Sequence, residues 1–426
     1  MTMNRRNFTK MSLLAAGAAA LPAPFVSRAW AAGDPVRLGV LLPLSGPLAS
    51  LGNDVMRGFD LARQLVNEDG GVFGQQVELV VADVPSSTEA TSQATRLITT
   101  DKVKVIMGSY ASSISFAASQ VAERNKVIYF EQGAVADDIT LRGFKHLFRF
   151  IYPASGLGGG AAQFMIDQVA PKLNIPLNQL KVALLYEDSS YGSAVGESAK
   201  KVLAGAGVNI VDATSYSYKT TDLSSMVQRY KQLQPDVLIV CQYTPDGILF
   251  WRQAREAGLE VKAMIGNGGA HNVNEFAEAL GDDVNGILNA GTSVYINKDG
   301  LTPEAAALFT RFHDEHPKRF EGRAPSAHTG MGFNAMWTVL KDILPAAGAL
   351  DTAKIREAAL ALDKPIGSTI VGWGVKFDPE TQNNTRAFPT FDQWQGKRIH
   401  TVAPSPFGIA EVKAIPLPTW GQRGGI

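Results

Sequence analysis

The chain has 426 residues, 45% of them hydrophobic and 19% charged, which is enough for a globular protein of two or three domains. Its 40 basic residues balance 40 acidic ones, so there is no polyanion footprint and nothing that favours nucleic acid or a membrane surface. A single cysteine, Cys241, excludes an intramolecular disulfide; inside the apolar run Val237 to Cys241 it reads as a small buried hydrophobe.

Residues 1–32 read as a cleaved export signal and not as part of the fold. Asn4-Arg5-Arg6-Asn7-Phe8-Thr9-Lys10 carries a twin-arginine pattern, and Met11 to Leu21 is apolar but too short to span a bilayer. Ala29-Trp30-Ala31 then supplies small residues for cleavage near Ala31. No later stretch reaches about 18 consecutive apolar residues, the length a spanning helix needs. The expectation is a soluble protein that folds before the twin-arginine machinery exports it.

Val36 to Pro43 predicts a first buried strand, ending in a loop to Gly52, and the stripe Val55, Phe59, Ala62, Leu65 and Val66 predicts a helix over 53–69. Val77 to Ala82 reads as the next strand and Thr88 to Thr99 as the next helix. Val103 to Met107 is a short apolar run of the kind buried on both faces of a parallel sheet. Gly108 ends it, and Ser112-Ser113 precedes the helical run Ile114 to Arg124. A serine there is a favoured N-cap, and a helix N-terminus at a strand end offers unpaired donors to a polar or anionic group. Val127 to Phe130 and His146 to Phe150 complete the first half.

At Ile151-Tyr-Pro-Ala-Ser155 the pattern restarts. Helix is expected over 156–173, 191–206, 222–233 and 246–257, with strands over 182–186, 208–216, 237–241 and 261–265. Both halves repeat βα units of about 30 to 40 residues, which argues two doubly wound parallel-sheet lobes. Beyond strand 287–292, helices are predicted over 303–316, 326–344 and 351–362, then short strands that include 373–377 and 388–395. Crossings between lobes near Ile151, Ala290 and Gly372 would form a three-segment hinge around a closable cleft. The division is 33–151 plus 291–372 for the first lobe and 152–290 plus 373–426 for the second.

Enzyme signatures are missing: no Gly-x-Ser-x-Gly elbow, no phosphate-binding loop and no His-Glu-x-x-His. Gly266-Asn-Gly-Gly269 follows a strand without completing a dinucleotide fingerprint. His313 and His316 form an i, i+3 pair with metal-ligand spacing, but on a charged helix they read as a solvated face. Asp137-Asp138 reads as the start of a helical turn in preference to an acid/base pair. His146, His271, His328 and His400 cluster with nothing in sequence. No cofactor or metal is expected. Polar and aromatic residues do recur just past the strand ends: Leu51, then Tyr110, Ser112 and Ser113, then Gly133 and Val135, then Tyr191, Tyr243 and Asn267. Ligands of open α/β sheets bind at that edge.

Several of these stretches together resemble the periplasmic substrate-binding proteins of ABC transporters, in the branched-chain amino acid (Leu/Ile/Val-type) receptor family. The stretches are Leu42-Pro-Leu-Ser-Gly-Pro-Leu-Ala-Ser-Leu-Gly52, Asn67-Glu-Asp-Gly-Gly-Val-Phe-Gly74, Gly108-Ser-Tyr-Ala-Ser-Ser113 and Gly133-Ala-Val-Ala-Asp137. Phe148-Arg149, Asp188-Ser-Ser-Tyr-Gly192 and Arg252-Gln-Ala-Arg-Glu-Ala-Gly258 continue the match in one order along nearly the whole chain past the signal. The resemblance implies a type I binding-protein fold, a periplasmic location, a monomer, a small-molecule ligand and an ABC permease as partner. Carried over by position, the family's ligand contacts fall on Leu51, Ser112, Gly133, Val135, Tyr191, Tyr243 and Asn267, with Ser112 and neighbouring N–H groups where a ligand carboxylate is held.

The chain departs from the amino acid receptors at three matched positions. Val135 stands where they use threonine, Asn267 where they use an acidic residue, and Ala154 where they can place an aspartate. A buried ammonium needs a carboxylate, since an unpaired buried charge costs several kcal/mol. The preferred ligand is therefore a small carboxylate with an apolar or aromatic body. An amino acid remains open if Glu131, Asp137 or Asp188 supplies the charge, and an amide or urea suits Asn267 and the tyrosines. A sensory receptor on the same fold and an enzyme are the other two classes weighed.

Overall fold

A computed structural model describes residues 33–426; the export-signal reading lies outside the described residues. Strands β1 (Val36–Leu42), β2 (Val77–Asp83), β3 (Val105–Gly108), β4 (Ile128–Glu131) and β5 (Leu147–Arg149) form a parallel sheet in the order β2-β1-β3-β4-β5. Helices α1 (Ala49–Glu68), α2 (Ser87–Thr99) and α3 (Ser112–Arg124) connect its first four strands. The inner strands β3 and β4 are buried along their whole length, as their unbroken apolar runs require, while edge strand β2 keeps Glu78 and Val81 exposed.

The chain then passes into a second unit. Helix α4 (Ala154–Phe164) runs through a π-turn into α5 (Ala170–Leu173), where Asn174 stops it in the left-handed conformation. Strands β6 (Lys181–Glu187), β7 (Asn209–Tyr216), β8 (Val237–Cys241), β9 (Ala263–Asn267) and β10 (Leu288–Gly291) alternate with α6 (Ser190–Gly205), α7 (Ser224–Leu233), α8 (Thr244–Glu256) and α9 (Asn274–Leu280).

Helices α10 (Pro303–Arg319), α11 (Ala327–Thr338), α12 (Leu344–Ala347) and α13 (Thr352–Ala361) return to the first sheet, where α11 lies along α1 and α13 meets β4. A ribbon of β11 (Asp363–Lys364) and β12 (Val375–Lys376) follows. The antiparallel β13 (Thr390–Gln395) and β14 (Arg398–Ala403) then complete the second sheet as β14-β13-β10-β9-β8-β6-β7. The two doubly wound lobes are as expected; α9 and β14 were not foreseen.

Glycines stand where two helices meet backbone to backbone in each lobe. A Cβ on Gly58 of α1 would lie 2.1 Å from the Thr329 carbonyl oxygen of α11, and one on Gly158 of α4 would lie 2.1 Å from the Val195 carbonyl oxygen of α6. Only a residue without a side chain lets these backbones touch.

Between the sheets the chain crosses after β5, after β10 and between residues 385 and 389. The third passage is later than the Gly372 expected from sequence. Gly372 makes only a turn, and residues 374–384 still bond to the first sheet: Asn384 N–H donates to the Arg149 carbonyl at 2.9 Å and Arg149 N–H to the Gln382 carbonyl at 3.0 Å. Phe377 packs against Phe148 and Phe150 with ring centres 5.2 and 5.1 Å away.

The C-terminal segment packs on the second lobe. Trp420 lies against Trp251 and donates to the Leu259 carbonyl at 2.7 Å, and buried Arg423 donates to the Asp283 carbonyl at 2.9 Å. Among the described residues, no helix is long and apolar enough to cross a membrane.

Candidate functional site

The carboxyl ends of both sheets point at one another, and α3 meets α6 across the gap. Between them lies a partly open cavity with about 410 Å³ of empty space, within the size range of small-molecule sites. Tyr110, Gly133 and Val135 line it from the first lobe, Tyr191 and Tyr243 from the second. Five of the residues singled out in the sequence are thus brought together.

Glu131 positions the first-lobe side of this wall. It is fully buried at the end of β4, and its carboxylate accepts from the N–H groups of Ser109 (2.7 Å), Tyr110 (3.2 Å), Gly133 (2.8 Å) and Ala134 (2.8 Å). Those bonds hold Tyr110 at a φ of 80°, a conformation costly for a residue with a side chain and sustained only by its surroundings. Gly133 is needed beside it, because a Cβ there would come within 3.1 Å of the Tyr110 ring. The Val135 carbonyl is fixed in turn by Arg149 Nη1 at 3.0 Å.

The second lobe repeats the device. Glu187, buried at the end of β6, accepts from Ser189 N–H, Ser189 Oγ and Gly192 N–H, each at 2.6 Å, and fixes the first turn of α6. Burial raises its carboxyl pKa, and the bonds from Ser189 and Gly192 oppose that rise. Tyr191 and Tyr243 pack with ring centres 5.3 Å apart, and Tyr218 meets Tyr243 edge-on at 5.6 Å. The Tyr191 hydroxyl donates to the Asn267 carbonyl, and the Tyr243 hydroxyl lies 3.4 Å from Ser189 Oγ.

The other four candidates lie behind or beside this wall. Leu51 is buried in α1. Ser112 is the first residue of α3 and not its cap; the cap position is Ala111, whose side chain makes no bond. Ser112 Oγ instead accepts from Ala136 N–H at 3.2 Å, which ties α3 to the loop after β4. The N–H groups of Ser112 and Ser113 still have no carbonyl within their own helix. Strand β9 runs two residues beyond the expected end, so Asn267 is inside it. Its side-chain amide donates to the Val240 carbonyl at 3.1 Å, and only its backbone oxygen turns toward Tyr191.

Sequence reasoning missed Ile151, Tyr152, Leu157, Asn272, Thr292 and His328. Thr292 is the last residue of the predicted strand 287–292 but lies just past the observed β10, so the strand-end rule skipped it; its Oγ1 lies 3.1 Å from the Tyr152 hydroxyl. His328, on α11, meets the Tyr110 hydroxyl at 3.1 Å across 218 residues of sequence, which no local pattern carries.

The wall is uncharged. Glu131 and Glu187 are occupied by loop N–H groups, Asp137 accepts from Ser155 N–H and Oγ at 3.0 and 2.6 Å, and Asp188 is exposed. His328 is neutral, burial holding its pKa down at about 3. The His313/His316 pair is a correction: these residues are not a solvated face. His316 is buried, and the two rings bond the Val294 and Arg323 carbonyls at 2.9 Å among Phe309, Phe312 and Phe320. Among the described residues, no group of three or more metal-ligating side chains converges.

Beneath Tyr243, Asp246 lies in the first turn of α8, with the Tyr216 hydroxyl donating to it. Burial raises its pKa to about 7, against the lowering effect of that bond. The folded state therefore holds a proton that the unfolded chain releases near pH 4, so this stability is present below pH 4 and lost as pH rises through 7. Buried His271, with its pKa lowered to about 4, runs the opposite way. The difference between the wild type and Asp246→Asn isolates the carboxyl. Measured by urea unfolding, the variant is expected to gain about 2–3 kcal/mol on the wild type between pH 5 and pH 8.

A family profile described as periplasmic binding protein matches residues 35–391. Leu/Ile/Val-binding protein homolog 7 of Brucella suis biovar 1 (strain 1330) is 34% identical over 378 residues, covering 89% of this chain and 94% of that one. A branched-chain amino acid transporter substrate binding protein from Streptococcus pneumoniae, solved with isoleucine, superposes with a TM-score of 0.72 at 23% identity over 89% of this chain and 99% of that one. A solute binding protein of an ABC transporter from R. palustris, solved with benzoate, gives 0.73 at 19% identity over 90% and 99%. With a matched profile over most of its length and a cavity between two strand-end edges, the chain belongs to the periplasmic binding protein family, as a type I solute-binding protein of the branched-chain amino acid branch.

Proposed function

We propose that this chain is the periplasmic solute-binding component of an ABC uptake transporter, and that its lobes close around a small organic acid with an apolar or aromatic body. The observation that carries the ligand class is the uncharged wall. A buried ammonium would lack a carboxylate there, at a cost of several kcal/mol. The carboxylates left open by the sequence, Glu131, Asp137 and Asp188, are occupied or exposed. An acid group is supported at the first turn of α3, where the N–H groups of Ser112 and Ser113 and the helix dipole favour an anion. Tyr110, Gly133, Val135, Tyr191 and Tyr243 would pack its body, Asn267 would act through its carbonyl bond to Tyr191, and Leu51 would back the loop.

In this reading the first lobe comprises residues 33–151 and 292–384 and the second 152–291 and 390–426. The closed pair of lobes is what an inner-membrane ABC permease recognises, the chain acts as a monomer without a cofactor, and the twin-arginine machinery exports it. The uncharged wall with its tyrosine hydroxyls also suits a small amide.

A ligand that binds only the folded state stabilises it by about 2.7 kcal/mol at a hundredfold excess over Kd. Thermal melts of the exported form with benzoate, 4-methylpentanoate, leucine, phenylalanine and acetamide are expected to rise with the acids. A rise with leucine alone would overturn the acid reading and leave the transport reading standing.

A further inference from the structure

We propose that Asn272 and the Tyr110–His328 pair select, among small organic acids, one that also carries a hydroxyl. This rests on the reading of the cleft as an acid site. Asn272 lies in the turn Gly269–Asn272 of the second lobe and His328 in the first turn of α11 in the first lobe. Both line the same cavity, and they are only 6% and 2% exposed.

Each carries one polar atom that the protein leaves without a partner, Asn272 Oδ1 and His328 Nδ1. A buried orphan of this kind costs stability unless something else meets it. The Asn272 assignment is fixed by chemistry. Its amide reaches the Thr292 carbonyl at 3.4 Å, and a carbonyl oxygen only accepts, so the amide nitrogen faces it. Oδ1 is the free end, and it needs a donor.

His328 Nε2 lies 3.1 Å from the Tyr110 hydroxyl. A neutral imidazole has one N–H, so two arrangements exist. With the proton on Nδ1, tyrosine donates to Nε2 and Nδ1–H is left to donate. With the proton on Nε2, the imidazole donates to tyrosine, whose O–H is then free, and Nδ1 accepts. In either arrangement the pair offers one donor and one acceptor.

A carboxylate cannot donate, so an acid alone leaves Asn272 Oδ1 orphaned. An ammonium donates but cannot accept, and it brings a charge that this wall does not balance. With the proton on Nδ1, a hydroxyl accepts from Nδ1–H and donates to Asn272 Oδ1, which satisfies the orphan of each lobe at once. Tyr110 is already held for this task by Glu131, in a conformation it would not adopt freely.

Calorimetric titration of the exported form with matched acids tests this: 4-hydroxybenzoate against benzoate, and 2-hydroxy-4-methylpentanoate against 4-methylpentanoate, with leucine and acetamide as further arms. At least one hydroxy acid is expected to bind about tenfold or more tighter than its deoxy partner, as removal of an orphan predicts. Asn272→Leu and, independently, Tyr110→Phe are expected to shrink that ratio to within about threefold. Equal wild-type affinities within both pairs would overturn the inference and leave the acid reading intact. Variants that weaken both members of a pair equally would reduce these residues to packing and overturn it as well. Binding of leucine or acetamide with no acid bound would overturn the acid reading and this inference with it.

Discussion

Replacing Glu131 by glutamine is expected to abolish ligand binding and to destabilise the first lobe by about 3–5 kcal/mol, the range for removing a buried charge from its partners. The carboxylate gives one oxygen to the N–H groups of Tyr110, Gly133 and Ala134 and the other to Ser109. Glutamine keeps the shape but turns one oxygen into an NH2 group. Either orientation sets a donor against backbone donors that have no other acceptor. Facing Ser109 it breaks one such bond, and facing the other side it breaks three. Tyr110 then loses what holds it in the left-handed region, and Gly133 and Val135 move with the loop. Urea unfolding should show the lost stability, and calorimetry should show binding weakened at least a hundredfold. Binding within tenfold of wild type would mean that the loop keeps its shape without the carboxylate, and that packing alone places Tyr110.

The large features of the fold are legible in the sequence because they rest on apolar runs. Val237 to Cys241 and the Ile106 region can only be strands buried on both faces, and their order with the intervening helices fixes two parallel sheets. The strand-end rule picked out Tyr110, Gly133, Val135, Tyr191 and Tyr243, which line the cavity, because residues just past a strand end must lie at the sheet's edge. It failed for the side chain of Asn267, since a shift of two residues placed that side chain within the ladder. It also failed for Ser112, whose hydroxyl was claimed by Ala136. The third crossing was misplaced because a Gly372 turn looks the same whether the chain leaves the lobe or doubles back. His328 and Asn272 were out of reach. Their meaning depends on a pairing across lobes that arises only when the hinge brings separate segments together. Glu131 and Glu187 read as ordinary acidic residues, and only burial reveals them as loop anchors.

Arg149→Met is expected to cost about 2–4 kcal/mol, through the loss of charge-assisted bonds to neutral partners, and to loosen the third crossing and the cavity wall together. The arginine is fully buried and still charged, burial lowering its pKa only to about 10. Its guanidinium joins three segments: Nη1 donates to the Val135 and Ala136 carbonyls at 3.0 and 2.7 Å, Nη2 to Thr140 Oγ1 at 3.2 Å, and Nε to Asn383 Oδ1 at 2.8 Å. Val135 lies on the cavity wall, and Asn383 lies just before the third crossing. One planar fork therefore ties the loop that lines the cavity to the segment just before the third crossing. Methionine fills much of the volume but removes the charged donors from the Val135 and Ala136 carbonyls, which keep only Ala154 N–H at 2.7 Å and Ile139 N–H at 3.3 Å, and leaves the half-buried Asn383 Oδ1 without its donor. Lysine restores a charge yet cannot reach all three segments from one nitrogen, so Arg149→Lys should recover less than half of the loss. Urea unfolding measures the first effect. Ligand dissociation rates measured by stopped flow, expected to rise about tenfold or more in Arg149→Met, measure the second. If stability fell while dissociation stayed at the wild-type rate, Arg149 would be a brace of the first lobe alone, and the coupling of wall to hinge would have to run through Tyr152 and Thr292 instead.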